Sequence, residues 1–434
     1  MRLFYATAAA LAPLLFAAGA QAQVVINTAR TTPILTSNAN NGAAADVQIA
    51  SGGAINLTSG TAVTVDSNNT FTLSTGGAIT FTNAADGATG VLVNGGVNTT
   101  ITINDRIVIG DSLGAQPNPD DDLDPDGPWA TGSGRYGVRL AGPVTGDLLL
   151  NRSGFIQVEG NDSFGISIDD GLTGNFRSQA EIRTLGDRSV AVRLAGLLDG
   201  NAYIGGSIDS TGEDASAVVV EGDVTGRLIF QGDIAATGFR YRSRPAQDVI
   251  DDIDADDRLE GGPAVIIAGN VAGGVLFDVL PTESDSNSTD DDGDGVTDSE
   301  ETASRVSTFG SAPAILVGST TQDITLGAVG TGDLNYGFIN RGTVNAQGIL
   351  DGVNAQAVRF GVDGGGAVTI DGGVLNAGPV SVLAYDADAV AFRFGAGVTT
   401  PRFTNTGFVT AASASDAGGE VTTILFEAGA DVAT

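Results

Sequence analysis

The chain has 434 residues, 42% of them apolar but only 6% aromatic, with one Trp and 63 Gly; this excludes a large globular core built on aromatic side chains and points to many small, similar turns. A net charge of −32, from 52 acidic against 20 basic residues, repels phosphate backbones and excludes nucleic acid as a partner. All the basic residues are Arg, and there is no His and no Cys, which excludes imidazole acid–base chemistry, Ser-His-Asp triads, thiolate nucleophiles and disulfides, leaving carboxylate, Tyr, Ser/Thr or Arg chemistry.

The N-terminus reads Met1-Arg2, an apolar run from Leu3 to Gly19, then Ala20-Gln21-Ala22 before Gln23. A charged start, a short apolar stretch and an Ala-x-Ala site make residues 1–22 a signal peptide, so the mature part, 23–434, is expected to cross the inner membrane.

From Val47 onward, apolar pairs two residues apart recur every eight residues: Val47/Ile49, Ile55/Leu57, Val63/Val65, Phe71/Leu73 and Ile79/Phe81. Period-two alternation predicts short strands with one buried face, joined by tight Gly, Ser, Asn and Asp turns. A longer unit follows. Gly165, Ala191 and Ala217 stand 26 residues apart in matching surroundings. Leu172, Leu198 and Val224 come seven residues after these anchors, Ile182, Ile208 and Ile234 seventeen after, and Gly186, Gly212 and Gly238 four later again. Three strands in about 26 residues cannot close a core alone, but stacked copies bury a continuous one. The fold class is therefore all-β: a right-handed parallel β-helix, three-faced, with about a dozen windings and a length on the order of 60 Å. A β-propeller or sandwich would bring longer units and more aromatics, and the Gly-Gly-x-Gly-x-Asp repeat of the calcium β-roll is missing.

The register breaks three times. Gly90 to Gly137 and Ala217 to Ala264 each span 47 residues, and Ala264 to Ala314 spans 50, so insertions are expected at about 111–133, 239–262 and 281–310. Ile107 and Ile234 place the first two between third strand and next first strand, and the third is expected at the same corner, beside the second. All three are Asp-rich. The third contains Asp290-x-Asp292-x-Asp294-Gly295-x-x-Asp298-x-x-Glu301, which fits the twelve-residue calcium loop: oxygen ligands at alternate positions, Gly at the sharp turn, Glu closing. The expected Ca²⁺ ligands are Asp290, Asp292, Asp294, Asp298 and Glu301 with the Val296 carbonyl. The run resembles the calcium loops of EF-hands, dockerins and thrombospondin type-3 repeats, although Thr297 stands where paired EF-hands carry a hydrophobic residue and no flanking helices are indicated. Asp122-x-Asp124-x-Asp126-Gly127 begins the pattern in the first insertion but lacks the closing Glu.

Weaker candidates are Arg240-Tyr241-Arg242-Ser243-Arg244, which either grips an anionic glycan or neutralises nearby carboxylates; Trp129 near Arg135 and Tyr136, a sugar-stacking group or a loop cover; and Asp169-Asp170, whose adjacency does not define the separation glycosidase chemistry needs.

With the signal peptide, the windings and the Asp-rich corners together, the chain from about Val24 onward resembles the passenger domain of bacterial autotransporters, alphaproteobacterial ones especially. The segments that carry the resemblance are Thr32-Pro33-Ile34, Ser59 to Val65, Gly160 to Ser163 and Gly261 to Val265. It implies a secreted or cell-surface protein delivered through an outer-membrane β-barrel. Such a protein acts as an adhesin or structural surface component, with host or abiotic surfaces, neighbouring cells or glycans as partners. The amphipathic ten-residue strands of such a barrel are not found before Thr434, so the chain is either a fragment or exported by another route. The alternatives are a pectate-lyase-like polysaccharide-degrading enzyme, in which Arg would have to serve as base, and a calcium-dependent surface-layer component. No catalytic residue is expected in the leading reading.

Overall fold

The computed structural model describes residues 22–113, 127–282, 287–291, 297–414 and 418–433. The strands form three twelve-stranded sheets and two narrow four-stranded ones, and every named strand pair is parallel. The first face runs from Gln23–Ile26 to Phe403–Asn405, the second from Ala29–Arg30 to Val409–Ser413, and the third from Ile34–Leu35 to Val421–Phe426. One strand of each face makes a winding, and twelve strands at ~4.8 Å give faces roughly 55 Å long. This is a three-faced parallel β-helix.

The alternating pairs become one interior. Val47 and Ile49 lie over Phe71 and Leu73, these over Ile101 and Ile103, and these over Leu148 and Leu150. All of them belong to a single core cluster that extends along the rod. Toward the C-terminal half the filling turns aromatic: Phe230 stacks on Phe277 at 4.5 Å, and contacts continue through Phe338, Phe360 and Phe394. Beside them Asn340 donates to Asn376 at 2.8 Å and Asn376 to Asn405 at 2.7 Å, so a column of side-chain amides is hydrogen-bonded from winding to winding.

The recurring small residues have two different causes. A side chain at Gly165 would put its Cβ 2.5 Å from the Ala191 carbonyl oxygen and 2.6 Å from Ile182; close packing, not dihedral freedom, keeps that position small. At Gly212, φ is 149° and a Cβ would lie 2.2 Å from the Gly186 oxygen, so the corner needs glycine on both counts. Corners are also tied by side chains: Asn161 accepts from the Asp187 N–H, and Asp187 from the Glu213 N–H, each 26 residues on.

Two expectations are corrected. The stripe Leu172, Leu198, Val224 does not line a long face. It belongs to a narrow ladder of two- or three-residue strands and single bridges at the corner between the third face and the next first face, which continues through Val271 to Leu326, and the first face's own stripe is Phe176, Ala202, Leu228. The third insertion does not share a corner with the others. The first lies between Arg106–Ile109 and Tyr136–Leu140 and the second between Asp233–Thr237 and Val265–Ile267, both from second to third face, the corner expected for them between the strands of Ile107 or Ile234 and the next anchor strand. The third lies between Val275–Phe277 and Arg305–Phe309, from first to second face. An anchor-to-anchor count measures the length of an insertion but not its place within the winding.

Candidate metal centre on an acidic edge

The first insertion is fastened at its base. Asp111, where the chain leaves the second face, accepts from the Thr131 N–H at 2.6 Å and the Gly132 N–H at 3.1 Å, where it returns. Arg135 lies behind them, 1% exposed. It donates to the carbonyls of Glu159 and Ala84 and stands 3.5 Å from Asp111. These backbone donors and the guanidinium outweigh desolvation and hold the Asp111 carboxyl at about 2. A Cβ at Gly132 would fall on the Arg135 guanidinium.

The returning arm of the first insertion reaches four strand steps along the edge, roughly 19 Å, to meet the second insertion. There Arg240 lies 3.8 Å over the Trp129 ring and donates to the Gly127 carbonyl; the indole N–H donates to the Gly238 carbonyl at 3.3 Å, and the Gly127 N–H to Asp256 at 2.8 Å. The second insertion contains a short helix, Gln247–Asp252, absent from the sequence-based expectations. Its Ile250, with Ile253, packs on Phe239, Ile349 and Leu350, where the pairing of Thr343–Asp351 with the next winding shifts register between Gln347 and Asp351.

Asp254, Asp256 and Asp257 follow the helix, each offering a carboxylate oxygen, with the three oxygens within 4.8 Å of one another. Arg240 stands 3.9 Å from Asp256 and 3.5 Å from Asp257. Asp254 is the most open of the three and Asp257 is buried. A hydrogen bond between the Asp254 and Asp256 side chains raises the Asp254 carboxyl above the usual range and lowers Asp256, which the Gly127 N–H lowers further. Crowded oxygens with one guanidinium between three carboxylates can hold a hard divalent cation whose remaining ligands are water. The sequence names all three residues as acidic but assigns them no site, because Asp-x-Asp-Asp has no ligand periodicity; their convergence depends on the turn after the helix.

Of the calcium-loop residues, Asp292, Asp294 and Val296 lie outside the described residues. Asp298 accepts from the Asp291 N–H at 2.9 Å, which draws the two ends of the Asp290–Glu301 segment together. Glu301 is 3% exposed and accepts from the Gln231 amide, whose own oxygen accepts from the Tyr203 hydroxyl at 2.6 Å. The Glu300 carbonyl accepts from Arg152 and Gln179 on earlier windings, so this arm lies back along the rod.

The other candidates are engaged by neighbouring side chains. Arg242 pairs with Asp209, and Arg244 with Asp351 while covering Tyr385, so these two guanidiniums face carboxylates of the rod. Trp129 meets Arg240 rather than Arg135 or Tyr136, and Tyr136 stacks on Phe164 at 5.1 Å. Asp169 is bound to Arg139 at 2.7 Å. No protein-family model, no curated protein and no solved structure matches this chain.

Proposed function

We propose that this protein is exported to the cell surface or secreted and works there as a structural or adhesive rod of the autotransporter-passenger kind, with acidic edges that take up Ca²⁺. Host or abiotic surfaces, neighbouring cells or their glycans are its partners. The observation that carries the reading is the distribution of its chemistry. Outward Arg side chains on the faces, such as Arg139 and Arg193, are bound to Asp169 and Glu221, whereas carboxylates in excess of Arg crowd into insertions on the edges, Asp254, Asp256 and Asp257 among them. Such a molecule offers long flat faces for contact and edges whose mutual repulsion a divalent cation relieves. Asp290, Asp292, Asp294, Asp298, Glu301 and the Val296 carbonyl are the second proposed ligand set.

Calorimetry of the mature chain with millimolar Ca²⁺ tests the metal. Heat of uptake is expected; replacing Asp254 and Asp256 together by Asn removes one component, and Asp290→Asn with Asp298→Asn another. No uptake by the unaltered chain would end the proposal. Polysaccharide turnover that disappears when Ca²⁺ is removed would replace the adhesive reading by a lyase.

A further inference from the structure

In the middle of the rod the outward side chains of the first face form a column that is largely apolar: Leu149, Arg177, Tyr203, Ile229, Leu276 and Ile339 follow one another in register. At Leu276 and Ile339 the chain covers this column itself, with Val329 and Tyr336 packed on them. Leu149 is only half-buried, and with the Arg177 stem and Tyr203 it lines a groove of about 290 Å³. The other side of the groove is a corner row, Asp147, Asn175 and Asn201, one residue per winding. Hydrogen bonds fix how this row is turned. The Asn175 N–H donates to Asp147 Oδ1 at 2.8 Å, the Asn201 N–H to Asn175 Oδ1 at 3.0 Å, and the Arg227 N–H to Asn201 Oδ1 at 2.9 Å. A backbone N–H only donates, so each side chain gives an oxygen to the next winding, and the amide N–H groups of the exposed Asn175 and Asn201 are turned outward.

We propose that this groove binds a neutral glycan chain lying parallel to the rod axis. Sugar rings present hydroxyls at their edges and C–H groups on their faces, and the groove meets both. Hydroxyl oxygens accept from the amides of Asn175 and Asn201, a hydroxyl donates to Asp147, and the ring faces rest on Leu149 and the Arg177 stem. Windings follow one another at ~4.8 Å, about the length of one sugar ring, so successive rings meet successive members of the row. Charge selects a neutral chain. Asp147 and Arg177 bring one charge of each sign to the groove, Arg177 being held by Asn151 at 3.1 Å, and a rod of net charge −32 repels polyanions. The inference rests on the adhesive reading proposed above, to which it adds a partner and a place on the rod.

The test is calorimetric titration of the chain from Gln23 onward with β-1,4-linked glucose, mannose and xylose oligomers of one to five rings, and with galacturonic acid oligomers as the anionic comparison. At least one neutral series is expected to bind, tightening from one ring to three, the number of windings in the row, and changing little thereafter. Asn201→Asp keeps the oxygen that holds the Arg227 N–H, as Asp147 does in the same row for Asn175, but removes the amide donors. It is expected to weaken binding about tenfold with an unchanged circular dichroism spectrum. Leu149→Thr removes the apolar floor and is expected to weaken binding by a similar factor. No binding of any neutral series, binding confined to the galacturonic acid oligomers, or affinity that either substitution leaves unchanged would overturn the proposal. Calcium uptake and attachment of the whole chain to cells are read on the same samples, so a failure here is distinguished from a failure of the adhesive reading.

Discussion

Arg135 is among the largest fully buried side chains of the molecule, and a buried guanidinium costs several kcal/mol unless its donors are matched. Here carbonyls of two neighbouring corners and Asp111 match them. Asp111→Asn keeps the shape but removes the charge, and is expected to destabilise the base of the first insertion by about 3 kcal/mol, read as faster amide exchange at Thr131 and Gly132. Because folding lowers the Asp111 carboxyl from 3.8 to about 2, its contribution of about 2 kcal/mol is complete above pH ~4 and is lost as pH falls through about 2. In urea titrations at pH 6 and pH 2.5 the difference between the native chain and Asp111→Asn is expected to shrink at the lower pH. None of this was legible beforehand. The sequence shows Asp111 and Arg135 as two charges 24 residues apart, and only closure of the insertion brings them together. Trp129 was legible as a notable residue but not in its partner, since Arg240 comes from an insertion four strand steps away.

The elements divide by how local their cause is. Short strands of the faces were readable because period-two alternation reports burial directly, and Val47 through Phe81 fall on five successive strands as expected. The Phe column belongs to the same logic. Phe277→Ala, between Phe230 and Phe338, is expected to cost about 3 to 5 kcal/mol by opening a cavity that neighbouring windings cannot close, measurable as a lowered denaturation midpoint. The insertions follow another logic, because their placement depends on contacts between elements distant in sequence. The helix Gln247–Asp252 exists because Ile250, with Ile253, finds a cover on Ile349 and Leu350. Since the chain has one Trp, Arg240→Ala is expected to red-shift its emission and raise its quenching by iodide, as the stacked guanidinium is replaced by water. An unchanged spectrum would show that the two insertions are not clasped.

On the scale of the whole molecule, the sequence supports a stack rather than a globule through composition as much as through pattern: few aromatics, many Gly and an apolar fraction sufficient for a thin continuous core. The order of the windings is then the order of the chain, and distance along the axis is set by winding number. The chain has no Cys, so pairs of introduced cysteines carry spin labels at unique sites. Gln48, Leu149, Arg177 and Thr404 stand in one outward column of the first face. From a label at Gln48, electron–electron resonance distances are expected to rise with each winding, from roughly 14 Å at Leu149 through about 19 Å at Arg177 to about 48 Å at Thr404. Distances that do not grow with winding number would contradict the stack.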